Sequence, residues 1–522
     1  MVKIRLSTPS STSERLAIAA ILVLAAILRL TALGRDGLWT DECHGAVRAS
    51  LPLSRLIPQL AAEHQAPLYY VVQKLFVSTA DPSEWRTRLS SVLLGLLTVV
   101  VIWLVARMIV SVRAGLISAF LLAISPLHVH YCREARNYAL LTLVTLVAMW
   151  AVVRLIRRPT VGAGLLAGVA LLAILYTHDI GAVYAAGVLV AGLSLLVCLP
   201  QKRAALGALA LAFGIAVLGY LPWLSAVLSR SSAISLEYDW FLPIWQRELP
   251  WQIGRSLAAL SHGSMPPIRN HVRELYWTVW PALGLSALLL GLGLWRREKW
   301  PLPGGAIALG GALFTPLFGI FVYSLLISPV YIVGRVDSAA LPFFLILIAA
   351  GVATLSSRIA VGTLIAFVGL ALLPLQVDLT LDTRSQERNI ARYLTSSLGD
   401  SDILVMACPY RSSQEYYLRF WKPRVEIRSF PTIRGLHPFW IDWNEYPGAA
   451  LDLDARNVAQ GADDALRRHG GERVWVMLET DPHNEVLLRE FRSTMASGPR
   501  VGLQYMGLEL ACFLRLDGHA GK

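Results

Sequence analysis

Two adjacent carboxylates, Asp41 and Glu42, follow Gly37-Leu38-Trp39-Thr40 just past the first long apolar run of the chain. A carboxylate held beside an aromatic ring at a membrane surface is a candidate general base. The same residues suit a helix start, with Thr40 or Asp41 as cap and Glu42 in the first turn. The two readings are compatible. A second polar step, Glu63-His64-Gln65, leads into Pro67-Leu68-Tyr69-Tyr70 and Lys74. Taken alone it reads as ordinary N-capping, and Lys74 can reach towards phosphate or water. A third group runs from His128 through His130, Cys132, Arg133, Glu134 and Arg136 to Tyr138, between two long apolar runs. Ionisable residues at membrane depth are costly and mark function by default. The plain alternative is a Glu134–Arg136 or Glu134–Arg133 pair. His128 and His130 have no third ligand nearby in sequence, which is weak ground for a metal site. His178-Asp179 and the stretch SPVYIVGRVDSAALP, with Arg335 and Asp337, complete the set. An arginine there suits a phosphate through a bidentate contact, or a lipid headgroup with no reaction attached.

The elements that must hold these groups are read from apolar runs. A membrane span needs about 20 mostly apolar residues. Runs occur near 16–33, 87–106, 114–131, 138–153, 161–176, 180–199, 204–226, 276–295, 305–327, 339–355 and 359–376. They predict about eleven helical spans, because lipid offers no partner for an open backbone. Alternate loops carry Lys3, Arg5 and Arg15; Arg107 and Arg113; Arg154, Arg157 and Arg158; Lys202 and Arg203; Arg296, Arg297 and Lys299; and Arg358, against only Glu14 and Glu298. Short basic loops face the cytoplasm. The amino terminus is therefore expected inside, the first run is read as a retained span, and the tail is expected outside. The segment 67–79 is too short for a span, and counting it would invert every later loop. It reads as an interfacial helix in a first outer loop covering 34–86. The division expected is a transmembrane catalytic part, 1–376, and an extracytoplasmic soluble α/β domain, 377–522. In that tail, β-rich runs at Ile403–Cys408, Val474–Leu478 and Leu508–Leu516 alternate with helix-like stretches at Glu387–Leu398 and Asp463–His469.

Composition agrees. The 522 residues are 55% hydrophobic and 16% charged, more apolar and less charged than a soluble domain. Five cysteines exclude a disulfide scaffold. The net charge of +12 follows from basic residues retained at one membrane face, not from nucleic acid, for which no motif is present. The fold class is an α-helical multi-pass membrane protein with a C-terminal α/β domain.

LWTDE, the PLYY segment, RLSSVLLGLLTVVVIWLVAR, RAGLISAFLLAISPLHVHY and EARNYALLTL together resemble the membrane-integrated GT-C glycosyltransferases. The branch they resemble holds the bacterial relatives of protein O-mannosyltransferases and the lipid A aminoarabinose transferase. The resemblance is specific over 37–155 and looser through 376. It implies a sugar donor on a polyprenyl phosphate, an acceptor hydroxyl on a glycan, lipid or protein, and inversion by a single displacement at the outer face of the cytoplasmic membrane. It implies Asp41 as base with Glu42 as neighbour or substitute, and Arg136, Arg335 and more distantly Lys74 for the leaving phosphate. Glu134 would orient Arg136 or bind a divalent ion, Mg or Mn, the one cofactor the resemblance admits. Glu63, His64, Tyr138 and His178 complete the expected substrate-binding set. Where relatives have two prolines before Leu-Tyr-Tyr, Ala66 replaces the first, so the second acidic role is open between Glu63 and its neighbours. A Cys43–Cys132 disulfide in an oxidising compartment would pin two loops, with Cys408–Cys512 as the competing pair. A lipid-linked sugar flippase is the alternative from another class. It would be expected to show internal repeats, and none is visible.

Overall fold

In a computed structural model, the structure describes residues 11–78, 80–199, 202–228, 249–263, 275–380, 386–407, 411–432, 446–479, 482–502 and 508–515. Lys3, Arg5, Cys408 and the acidic residues Glu237, Asp239, Glu248 and Glu274 of the second large loop lie outside them. The membrane part holds sixteen helices among the described residues. They are α1 (Thr12–Leu30), α2 (Thr40–Ser50), α3 (Leu53–Ala62), α4 (Leu68–Gln73), α5 (Glu84–Ile109), α6 (Val112–Ile124), α7 (Pro126–Cys132) and α8 (Tyr138–Arg157). After these come α9 (Val161–Leu175), α10 (Gly181–Val197), α11 (Arg203–Leu228), α12 (Gln252–His262), α13 (Leu275–Trp295), α14 (Gly305–Leu326), α15 (Leu341–Val352) and α16 (Ser357–Thr380).

Every one of the eleven apolar runs is helical. Six helices among the described residues, α5, α8, α11, α13, α14 and α16, are each long and apolar enough to cross a membrane. The run 114–131 is not straight: α6 and α7 meet at a 63° bend and make a seventh span if taken as one. Its cause is Ser125-Pro126, since proline has no N–H for α6 and clashes with its last turn. The apolar helices α9, α10 and α15 are shorter. On α13, Trp277 and Trp295 are 82% and 80% exposed, about 27 Å apart along the axis at 1.5 Å per residue. That separation fits an aromatic pair at the two faces of one bilayer.

The helix ends sort into two sets. At one end Arg107 pairs with Glu14 at 3.3 Å, Arg113 donates to the Leu355 carbonyl at 3.0 Å and Arg157 donates to Met108. The basic loops therefore gather there. Asp41, Arg136, His178 and Arg335 lie at the opposite end.

Past Thr380 the chain builds a five-stranded sheet. Its strands are β1 (Ile403–Ala407), β2 (Glu426–Phe430), β3 (Arg473–Glu479), β4 (Ala496–Gly502) and β5 (Leu508–Leu514), in the order β2-β1-β3-β5-β4. β2, β1 and β3 are parallel, while β5 and β4 are antiparallel additions. Alternation decides the faces. Ile403, Val405, Val474 and Val476 pack under α19 (Gly448–His469) and α20 (Pro482–Thr494). Leu404, Met406, Trp475 and Met477 pack under α17 (Gln386–Ser397) and α18 (Arg411–Trp421). With both faces covered, the central strands read as continuous apolar runs. Strands β2 and β4 carry charge, glycine and proline, which is why the sequence reading passed over them.

Candidate functional site

The stretch 34–86 is built around α2, whose first turn carries both carboxylates. Its N-cap is Trp39, one residue earlier than Thr40 or Asp41. Glu42 reaches back to the Trp39 N–H at 3.3 Å. Glu42 is fully buried and spends its oxygens on structure. It pairs with Arg88 at 2.8 and 2.6 Å and accepts the Ala135 N–H at 2.7 Å. Arg88 also donates to the carbonyls of Leu33, Asp36 and Gly37. Glu42 thus ties α2 to α5 and to the Glu134 corner, with no oxygen left facing a substrate.

Asp41 is the other case. Its Oδ2 accepts Arg335 Nη2 at 2.7 Å and lies 3.4 Å from Arg136 Nη2. Arg335 also donates Nε to the Tyr138 hydroxyl at 2.5 Å. Its guanidinium lies 5.7 Å from the ring centres of both Trp39 and Tyr138. Tyr138 in turn faces His178, ring centres 5.8 Å apart. Asp41, Arg136, Tyr138, His178 and Arg335, drawn from four separate stretches of chain, are therefore one cluster. Arg335 keeps 31% of its side chain accessible and Arg136 16%, so the cationic side of the cluster is open. Asp179 is exposed at its rim. There it faces the Ala66 N–H and the Arg136 guanidinium. Burial lowers His178 to about 3, with Arg136 and Arg335 adding to the effect, so its ring is neutral.

The second polar step is a helix end, not a start. Glu63 is the C-cap of α3 and His64 follows at φ 54°, the left-handed turn that closes a helix. Glu63 is gripped by Arg48 at 2.6 and 2.5 Å and by Gln59 at 2.5 Å, with His44 at 3.5 Å. Burial alone would raise Glu63, but the His44 hydrogen bond and the Arg48 guanidinium outweigh it and hold its carboxyl at about 2. Helix α4 is only six residues long; Tyr69 and Tyr70 turn inward, while Val71 and Leu75 stay exposed. Lys74 donates to the Leu51 carbonyl at 2.5 Å and Ala49 at 3.4 Å, closing the end of α2. It points at backbone, not at the Asp41 cluster.

Glu134 forms neither of the expected pairs. Its carboxylate lies 3.4 Å from His130, while Arg136 goes to Asp41 and Arg133 goes to Asp378 at 2.9 Å. His130 Nδ1 meets Asp378 at 2.5 Å, so the end of α16 is latched onto α7. Cys43 and Cys132 are both free and buried. Cys43 lies beside the Leu38 carbonyl, whereas Cys132 packs against His128 and Gly95, where an added Cβ would sit 2.1 Å from its sulfur. A Cys43–Cys132 disulfide is not formed, because the two thiols belong to different packing layers. Among the described residues no three His, Cys, Asp or Glu side chains gather as metal ligands.

Sequence reasoning missed Arg29, Arg48 and Arg88. Arg29, fully buried in α1, donates to the carbonyls of Ala25, Ala123 and Leu122 and meets His128 Nδ1 at 2.7 Å. A lone arginine inside an apolar run was the available signal.

Residues 64–225 match the family described as dolichyl-phosphate-mannose-protein mannosyltransferase. No curated protein matches the sequence. Among solved structures, ArnT from Cupriavidus metallidurans bound to undecaprenyl phosphate superposes with a TM-score of 0.56 at 15% identity, over 98% of this chain and 100% of that one. The archaeal oligosaccharyltransferase AglB from Archaeoglobus fulgidus, in complex with an inhibitory peptide and a dolichol-phosphate, gives 0.52 at 11% identity, over 96% and 75%. The arabinofuranosyltransferase AftD from Mycobacteria gives 0.50 at 15% identity, over 99% of this chain and 42% of that one. The fold of this multi-pass membrane protein is that of the GT-C glycosyltransferases, as the LWTDE and PLYY motifs implied.

Proposed function

We propose that the protein is a glycosyltransferase that moves a sugar from a polyprenyl-phosphate donor to an acceptor hydroxyl at the outer face of the cytoplasmic membrane. The membrane part, 1–376, carries the reaction and the α/β domain, 377–522, stands outside. The observation that carries this reading is the single oxygen, Asp41 Oδ2, shared between Arg335 at 2.7 Å and Arg136 at 3.4 Å. A carboxylate and two accessible guanidiniums beside apolar helices meet both needs of the reaction. The acceptor O–H gives its proton to Asp41 as its oxygen bonds to the anomeric carbon. The bond from that carbon to the phosphate oxygen breaks on the opposite face, inverting the centre. The polyprenyl phosphate leaves with the electron pair, its extra charge met by Arg335 and Arg136. Before the donor arrives the guanidiniums are satisfied by Asp41. The incoming phosphate takes them over, which frees Asp41 Oδ2 to receive the acceptor proton.

Tyr138 holds Arg335 in aim, and neutral His178 with Asp179 lines the sugar side. Glu63 and His64 act at a distance, by fixing the turn that presents α4. Mass spectrometry of lipids purified with the protein is expected to name the donor. Purified protein given that donor is expected to release polyprenyl phosphate, and Asp41→Asn to abolish release on the order of 10²-fold or more while still binding the lipid phosphate. Full activity in well-expressed Asp41→Asn would remove Asp41 as the base.

A further inference from the structure

The helix that carries Asp41 is bonded at its start by a residue from the tail. Glu387, on α17 and only 2% exposed, accepts both the Thr40 N–H at 3.0 Å and the Thr40 hydroxyl at 2.8 Å through one oxygen. Trp39, the N-cap of α2, has no side-chain acceptor to offer these donors. A first-turn N–H without an acceptor is a buried orphan, so α2 cannot start cleanly without an outside carboxylate. Neighbouring contacts from the tail reinforce it. Tyr417 accepts the Leu38 N–H at 2.8 Å, Arg388 donates to the Arg35 carbonyl at 2.6 Å and to Glu84 at 3.2 Å, and Arg419 donates to Ser50 at the far end of α2 at 3.0 Å. Leu38, Cys43, Ala46 and Val47 pack with Tyr416 and Tyr417 in one apolar cluster.

We propose that Glu387 is a positioning residue for the transfer reaction: from the tail it fixes the first turn of α2 and so sets Asp41 in register with Arg335 and Arg136. The proposal rests on Asp41 being the base. It gives the α/β domain a part in the reaction without contact to substrate. In Glu387→Ala the Thr40 N–H and hydroxyl lose their acceptor and the turn loosens. In Glu387→Gln the amide oxygen accepts both bonds, so geometry is kept although charge is lost.

The test uses the full chain in lipid nanodiscs, with hydrogen exchange of the 38–44 segment and donor-dependent release of polyprenyl phosphate read on the same samples. For Glu387→Ala, exchange at 38–44 is expected to rise at least tenfold with the spans unchanged, and kcat to fall on the order of 10–100-fold with donor KM within about twofold. Glu387→Gln is expected to restore both. Thr40→Val, which keeps the N–H bond and loses only the hydroxyl one, is expected to lower kcat less, and adding it to Glu387→Ala to lower kcat no further. Wild-type exchange and kcat in Glu387→Ala would overturn the proposal. So would loosening throughout the chain, or a Gln variant as impaired as the Ala one. If the wild-type protein releases no polyprenyl phosphate from any donor, the functional reading fails, and the exchange result still decides whether Glu387 holds the turn.

Discussion

Asp41 and Glu42 are neighbours in sequence with the same charge chemistry, yet they have opposite tasks. Nothing in the tripeptide Thr40-Asp41-Glu42 separates them; the partner does. Glu42 meets Arg88 and the Ala135 N–H in a closed pocket, while Asp41 meets two arginines that remain accessible. Removing one partner of a buried ion pair such as Glu42–Arg88 strands the other charge, at roughly 3–5 kcal/mol. The next cluster along has its own signature. Burial pushes His44 down to about 4 from 6.5, with Arg48 adding to it, and the His44–Glu63–Arg48 group holds Glu63 at about 2 against an ordinary 4.5. Both folded values lie below the unfolded ones, so acid destabilises in both cases. The His44 penalty is absent above about pH 6.5 and complete near pH 4; the Glu63 contribution is present above about pH 4.5 and lost towards pH 2. Thermal midpoints measured against pH should therefore fall in two stages. His44→Asn should flatten the stage between pH 6.5 and 4 and weaken the lower one only in part, since Glu63 loses the His44 bond but keeps Arg48. An unchanged upper stage in that variant would show that His44 is not its source.

At the scale of elements, the bent pair α6–α7 aims the Glu134–Arg136 corner at Asp41. Proline at 126 explains why the run breaks, but not what satisfies the carbonyls left at the end of α6. Arg29 does, bonding Ala123 and Leu122 from inside α1 at 3.0 and 3.2 Å. Replacing Arg29 by Met should leave these carbonyls and His128 unpaired in the bundle. The expected cost is roughly 1–3 kcal/mol, since hydrogen bonds between membrane helices are individually modest and removal of the buried charge offsets part of the loss. A thermal scan in detergent checks it, and a midpoint equal to wild type would mean that helix packing alone holds the bend. This element also marks the limit of reading by pattern. Apolar runs located twelve of the sixteen helices of the membrane part because hydrophobic length is a local property, but only six of these, or seven spans with the bent pair, are long enough to cross a membrane against the eleven spans expected. The Arg29 bonds and the Asp378–His130 latch depend on partners 93 to 248 residues away, which no local window contains. The same limit hid β2, whose Glu426-Ile427-Arg428 pairs with β1 by backbone bonds and has little apolar signal of its own.

For the whole molecule, polarity along the membrane normal decides whether the chemistry can work as proposed, because donor and acceptor must meet in one compartment. The basic ends gather with Glu14, Arg107 and Arg113, and the Asp41 cluster lies at the other end beside the tail helices α17 and α18. If these basic ends are the ones retained in the cytoplasm, the molecule has the proposed orientation, with the site and tail outside. The chain carries its own reporter for this. Cys198, at the end of α10, is exposed, and an added Cβ on Gly304 would sit 2.9 Å from its sulfur, which puts it with the basic ends. Arg424 in the tail is 81% exposed and, once changed to cysteine in a Cys198→Ser background, gives the opposite reporter. A membrane-impermeant maleimide applied to intact cells should label Arg424→Cys and leave Cys198 unlabelled, with Cys198 reacting only after permeabilisation. The reverse pattern would place the Asp41 cluster on the cytoplasmic side, where a donor presented at the outer face cannot reach it. Equal labelling of both in intact cells would mean that the two ends do not lie across a membrane from one another.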